Sequence, residues 1–316
     1  MILGVIFDFD NTIYDYDVCN NNSLSKVFIH IKENFKKDNV KEVYEKINFD
    51  IKQANNYCNK FNKNIYFKRL LENLNIPLDK LDIILQIYND EFNNNLLTSI
   101  YPNIEDFLKF LKQDNIKIGI LSNNNFKQQY DKLVKLNLIS YIDYIQTSDE
   151  NGYEKPHESM FHSIINKIKI PAENILMIGD NYDHDIEPAI KLGLIPFLFN
   201  KDDKKINIEN KKFFQFSNYN ELIIFYMEYT QTENELIYIS KLFGQSIINI
   251  QGQGGNISIK TQTPTQTPTQ TPTNNLLIIK SSGAILGNMD KNSGFCIVDN
   301  SGCLKLLKNN IIIIFK

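Results

Sequence analysis

The sequence predicts an α/β fold, a doubly wound parallel sheet interrupted by an all-helical insertion. Three observations carry that prediction. Short continuous apolar runs end in polar or acidic residues, as in ILGVIF before Asp8, IKIGIL before Ser122 and ILMI before Gly179-Asp180. Runs of that length without polar alternation are strands buried on both faces. From residue 101 onward they alternate with amphipathic helical segments, the signature of a parallel sheet covered by helices. Between the first run and residue 101 no strand pattern occurs.

The elements follow in order. Residues 2–7 form the first strand and deliver Asp8 and Asp10 at its carboxyl end. Residues 15–100 are helical, with Val27, Phe28 and Ile31, and later Leu70, Leu71 and Leu74, at helical spacing among Lys, Glu and Asn. A helix is expected at 104–111, a strand at 116–121, a helix at 126–136 and a strand at 142–146. A helix at 157–168, a strand at 175–178, a helix at 186–192 and a last clear strand at 195–199 complete the pattern. Ligands of open parallel sheets bind outside the carboxyl ends of the strands. Asp8, Ser122 and Asp180 each occupy such an end, so the topology predicts that they converge.

A domain boundary is expected near residue 230. Residues 1–230 then form one domain, with a core at 1–14 and 101–230 and a helical cap at 15–100; residues 231–316 form a second. The second part reads as a helix at 233–243, a strand at 257–260 and a strand at 276–280. The TQTP repeat at 261–273 is proline-punctuated and poor in apolar side chains, which predicts a disordered loop at a hairpin tip. The final IIIIFK is a strand-like run whose bare edge would invite pairing, and it reads as a truncation.

Composition narrows the classes. The chain has 316 residues and a net charge of -3, with a mean hydropathy of -0.30. That length supports two modest domains with cores. The charge argues against nucleic acid as a partner, since a duplex-binding surface is basic. Arg69 is the single arginine, so any phosphate must be bound by lysine, backbone N–H and hydroxyl groups, not by bidentate guanidinium forks. Cys19, Cys58, Cys296 and Cys303 show no CxxC spacing, the pattern of free thiols in a reducing compartment. The N-terminus lacks a basic start and cleavage region, and no apolar stretch is long enough to span a bilayer. A cytoplasmic protein without membrane partners is the expectation.

Asp8-Phe-Asp10-Asn-Thr12 is the sharpest chemical feature. Two carboxylates two residues apart in extended backbone point the same way. Like charges so placed resist joint ionisation unless a cation joins them, and magnesium accepts one or two carboxylates together with water and a phosphate oxygen. Ser122 can hydrogen-bond a phosphoryl oxygen, and Lys155, in Glu-Lys-Pro-His before a helix, can neutralise phosphate charge. Gly179-Asp180-Asn-Tyr-Asp183-His-Asp185 supplies further oxygens for a metal. Asp183 and His184 are read as structural. His157 and His162 lie beside no acid or thiol motif that would complete a metal site.

In this order and spacing the residues resemble the haloacid-dehalogenase superfamily. Its first motif matches Asp8, Asp10 and Thr12, its second Ser122, its third Lys155-Pro156 and its fourth Asp180 and Asp185. The helical insert resembles the cap of subfamily I. The resemblance implies a Rossmann-like core and a magnesium-dependent phosphohydrolase acting on a small phosphorylated metabolite, a sugar phosphate or nucleotide. It implies Asp8 as nucleophile through an aspartyl-phosphate and Asp10 as general acid and base. Asp8, Asp10 (by its carbonyl), Asp180 and Asp185 would hold Mg2+; Thr12, Ser122, Asn123 and Lys155 would hold the phosphoryl group. A carboxylate at Asp10 favours phosphate esters over halides. A phosphomutase of the same superfamily, or a non-catalytic scaffold, is the alternative. Tyr14, Tyr16 and Asn20 are candidate cap contacts to substrate.

Residues 235–300 resemble the start of the class II aldolase/adducin family, through Gly254-Gly-Asn-Ile-Ser258 and Ile279-Lys-Ser-Ser-Gly283. The resemblance implies a phosphate loop at Gly255, Asn256, Ser282 and Gly283. That family's zinc is held by downstream histidines, and no histidine follows His184 here. The segment is therefore expected to be a partial domain without zinc chemistry of its own.

Overall fold

The structure is a computed structural model. It describes residues 2–53, 60–202, 213–227 and 229–230, and the backbone of 258–262, 275–280 and 295–299. Residues 2–222 pack as one compact unit, and residues 223–316 belong to a second; the first ends short of the expected boundary at 230.

In the first unit the strand β1 (Gly4–Phe7) is followed by four helices, α1 (Tyr16–Phe35), α2 (Val40–Gln53), α3 (Lys63–Asn73) and α4 (Leu81–Leu96). These form the helical insert. Then come α5 (Ile104–Gln113), β2 (Lys117–Ser122), α6 (Phe126–Lys135), β3 (Tyr144–Thr147), the single turn α7 (Ser148–Asn151) and α8 (Glu158–Ile168). The strand β4 (Ile175–Gly179), α9 (Glu187–Lys191), β5 (Ile195–Phe199) and β6 (Phe214–Phe216) complete it. The sheet order is β3-β2-β1-β4-β5-β6, with every pair parallel. Chain direction across the sheet reverses between β1 and β4, and the crevice at such a switch point is where open α/β sheets bind ligands.

The apolar runs explain the layers. β1, β2 after its first residue, and β4 are buried throughout, and α8 lays Met160, Phe161 and Ile164 on Ile6, Leu121 and Met177. Each such side chain withdrawn from water contributes on the order of 1.5–3 kcal/mol. α1 starts at Asp15, whose carboxylate accepts the Val18 N–H, and stops at Lys36 in the left-handed conformation. The insert is held by an aromatic stack: Phe67 packs on Tyr88 at 5.2 Å and Tyr88 on Phe92 at 5.9 Å between ring centres.

Two elements of this unit are new relative to the sequence reading. β6 adds a sixth strand from only three residues, too short to show a period, and α7 is one turn at the end of β3. In the second unit β7 (Ser258–Gln262), β8 (Asn275–Lys280) and β9 (Phe295–Asp299) form an antiparallel sheet in that order. Gly255, Asn256, Ser282 and Gly283, the helix expected at 233–243 and the repeat beyond Gln262 lie outside the described residues. No described helix is long and apolar enough to cross a membrane.

Candidate active site

Register brings the first and fourth motifs together. Phe7 pairs with both Ile120 and Ile178, and the Asp8 N–H donates to the Ile178 carbonyl at 2.8 Å. Asp8 therefore lies beside Gly179-Asp180, with Ser122 at the end of the other neighbouring strand. The backbone then turns sharply at Asn11, whose φ of 64° is left-handed, a conformation asparagine tolerates well. Tyr219, fully buried, donates its hydroxyl to the Thr12 carbonyl at 2.8 Å and fixes this turn from the far edge of the sheet.

Asp8, Asp180 and Asp185 each place a carboxylate oxygen within 4.8 Å of the others. Gly179 makes this possible, because a Cβ there would come within 2.5 Å of the Asp185 carboxyl. Lys155 Nζ donates to Asp8 Oδ1 at 2.5 Å and to Asp185 Oδ1 at 2.7 Å. Burial opposes the lysine's charge, but Asp185 and Asp8 outweigh it and hold the ammonium well above the ordinary range. Burial raises the Asp8 carboxyl; Lys155 pulls it back, and Asp185 and Asp10 push it up further, with a net rise. The Asp180 carboxyl reaches solvent, yet partial desolvation and repulsion from Asp8 and Asp185 raise it too. This donor set is all hard oxygen, with no imidazole or thiolate, and its excess negative charge is what a hard divalent cation relieves.

Asp10 sits in a different environment. Lys132 Nζ donates to its Oδ1 at 2.8 Å, Gln129 Nε2 to its Oδ2 at 3.0 Å, and the Tyr14 hydroxyl also donates to Oδ1. Burial alone would raise this carboxyl, but the Lys132 charge and these hydrogen bonds lower it. Two carboxylates two residues apart are thus driven in opposite directions by different neighbours. Gln129 and Lys132 lie three residues apart on one face of α6, which starts at Asn125, a cap for the Gln128 N–H. Gln129 also donates to Ser122 Oγ at 2.6 Å.

The other expected residues fall close by, with their groups already in use. Thr12 is fully buried and donates to Asp8 Oδ2 at 3.0 Å. Asn123 clasps the backbone of Lys155, accepting its N–H at 2.5 Å and donating to its carbonyl at 2.9 Å. In this arrangement both orient other site residues. Tyr14, expected as a cap contact, is fully buried against Asp10. Tyr16 and Tyr88 both donate to Asn20 Oδ1, at 3.3 and 2.8 Å. His157 caps α8 through the Ser159 N–H and stacks on Tyr153, at 3.9 Å between ring centres. Lys132, Gln129 and Tyr219 are the residues that sequence reading passed over. For Gln129 and Lys132 the one signal is a polar residue on the apolar face of an amphipathic helix, which is weak.

Residues 5–197 match the haloacid dehalogenase-like hydrolase family, and the chain belongs to it. It is 29% identical over 214 residues to the ribulose-1,5-bisphosphate 5-phosphatase of Halopiger xanaduensis, covering 65% of this chain and 87% of that one. It is 29% identical over 202 residues to the glyceraldehyde 3-phosphate phosphatase of Methanocaldococcus jannaschii, covering 62% and 83%. Two solved structures share the fold. The HAD-hydrolase YfnB of Bacillus subtilis, bound to magnesium, gives a TM-score of 0.54 at 24% identity over 70% of this chain and 96% of that one. A HAD phosphatase from Thermococcus onnurineus gives 0.55 at 21% identity, with the same coverage of both chains.

Proposed function

We propose that the chain is a magnesium-dependent phosphatase of a small phosphorylated metabolite of the sugar-phosphate class. The convergence of Asp8, Lys155, Asp180 and Asp185 at the ends of β1 and β4 carries this reading. Two relatives named as sugar-phosphate phosphatases support it.

Asp8, Asp180 and Asp185, with the Asp10 carbonyl, would hold Mg2+. When bound, the ion supplies positive charge to the phosphoryl oxygens and to the crowded carboxylates. Asp8 is the nucleophile. Its carboxylate is aimed by Thr12 from one side and Lys155 from the other, and attack on phosphorus forms an aspartyl-phosphate as the substrate oxygen leaves. Asp10, protonated for this half, gives its proton to that oxygen; ionised for the next, it takes one from the water that hydrolyses the phosphoenzyme. Lys132 favours the ionised form. Lys155 and Ser122 offset charge on the phosphoryl oxygens in the transition state. The family match covers residues 5–197, and the reading gives the aldolase/adducin-like segment no part in the reaction.

The test is hydrolysis of p-nitrophenyl phosphate with and without added magnesium. Asp8→Asn should abolish turnover while circular dichroism and melting stay native. A fully active Asp8→Asn chain refutes the mechanism, and activity indifferent to a metal chelator refutes the metal.

A further inference from the structure

The helical insert holds a groove of about 560 Å³ whose charge the phosphoryl chemistry leaves unused. It runs from Tyr16 and Asn20 on α1, across α2, to Lys60 and Lys63 before and at the start of α3. Lys41, Lys52, Lys60 and Lys63 line it against two acids, Asp17 and Glu45. Glu45 pairs with Lys41 at 3.8 Å.

Lys63 is the telling residue. Its Nζ donates to the Tyr44 hydroxyl at 3.1 Å. It lies 5.0 Å from the ring centre of Tyr66 and 5.8 Å from those of Tyr44 and Tyr88. Among the described residues no carboxylate pairs with it, and the sequence of 54–59, Ala-Asn-Asn-Tyr-Cys-Asn, contains none. Burial pushes its ammonium down to about 7, aided by Lys52 and Lys132. Aromatic faces attract a cation but do not neutralise it, and a desolvated charge without a counter-ion is costly. A ligand anion would relieve that cost.

The groove borders the catalytic residues. Tyr16 lines it, and the Lys132 ammonium that pairs with Asp10 lies 5.6 Å from the Tyr16 ring centre. Lys63 is near enough to feel the charges of Lys132 and Asp10. Lys60 meets Glu154, the neighbour of Lys155, through its backbone and its charge. A small molecule whose phosphate sits at Asp8 can therefore extend its other end along this groove.

We propose that the groove receives a second anionic group of the substrate, a phosphate or carboxylate remote from the scissile phosphate, with Lys63 as its principal counter-charge and Lys52 and Lys60 beside it. The substrate class is then a short metabolite with two acid groups, such as a sugar bisphosphate or a phosphorylated hydroxy acid. The proposal rests on the phosphatase reading and is tested apart from it.

The probes are glyceraldehyde 3-phosphate, which has a neutral tail, phosphoglycolate, with a carboxylate tail, and ribulose 1,5-bisphosphate, with a phosphate tail. In the wild-type chain kcat/KM for at least one two-acid probe should exceed that for glyceraldehyde 3-phosphate. Lys63→Met should lower that ratio at least tenfold, mainly through KM, and Lys63→Arg should restore most of it. The two-acid probe that loses more identifies the second group as phosphate or carboxylate. A ratio unchanged in Lys63→Met, or an equal loss on all three probes, overturns the proposal. Calorimetric binding to the Asp8→Asn chain, with and without Lys63→Met, reads the groove without turnover. If no probe is hydrolysed while Lys63-dependent binding persists, the phosphatase reading alone has failed.

Discussion

At the scale of single residues, the decisive contrast is between Asp8 and Asp10. The two share a strand end and a motif, yet one is raised by burial among like charges and the other lowered by Lys132 and its hydrogen bonds. Lys132 should therefore matter to catalysis without touching the phosphoryl group. Lys132→Met is expected to lower kcat by about 10- to 100-fold, a part of what the general base of the second half-reaction contributes. Removing the cation disfavours the ionised Asp10, so the acidic limb of the pH–rate profile should move to higher pH. A loss of rate with an unmoved profile would make Lys132 a packing residue only. Gly179 makes a second residue-scale point. Its missing side chain is the space that Asp185 occupies, so the glycine of the fourth motif is required by packing.

At the scale of elements, the first, second and fourth motifs sit where a strand meets the following loop, and small contacts hold these junctions. Asp143, just before β3, accepts from Lys112 Nζ on α5 at 2.6 Å and from the Ile118 N–H on β2 at 2.8 Å. Partial burial would raise this carboxyl, but Lys112, the Ile118 N–H and Lys117 outweigh it and lower it. A carboxyl lowered on folding stabilises the fold fully above its unfolded value of about 3.9, and that stabilisation is lost as pH falls through the folded value. Asp143→Asn should then cost about 0.5–1.5 kcal/mol in urea unfolding at pH 7. The difference should shrink below about pH 4, where both states become protonated. An equal cost at pH 7 and at pH 2.5 would assign the effect to shape, not charge. Periodicity made nearly all of these elements legible, with ends shifted by one or two residues. It missed β6 because three residues cannot display a repeat, and it missed α7 because one turn buries too little to leave a pattern.

At the scale of the whole molecule, the groups assigned to the reaction all fall between Asp8 and Asp185, inside the unit formed by residues 2–222. A chain ending at residue 230 should keep its kcat/KM toward p-nitrophenyl phosphate and melt cooperatively. A folded but inactive 1–230 chain would show that the C-terminal segment contributes to the site. The cap belongs to the same unit as the core, and this gives its groove a defined relation to Asp10. Tyr44, Tyr66 and Tyr88 share no motif with Lys63, and only the packing of α2 to α4 collects their rings around its ammonium.

The sequence by itself determined the architecture and the candidate site residues. Burial on both faces demands continuous apolar strands, and phosphoryl chemistry demands carboxylates and a hydroxyl at their ends and a lysine before a helix; both demands are written locally. What only the tertiary structure decided is which groups those residues answer to: Thr12 and Asn123 turned toward Asp8 and Lys155, Lys132 and Tyr14 gathered on Asp10, and Lys63 left among tyrosines. Several of these pairings join distant positions: 32 residues separate Asn123 from Lys155, and 122 separate Asp10 from Lys132. They depend on distance and desolvation in three dimensions, which no period or spacing along the chain records.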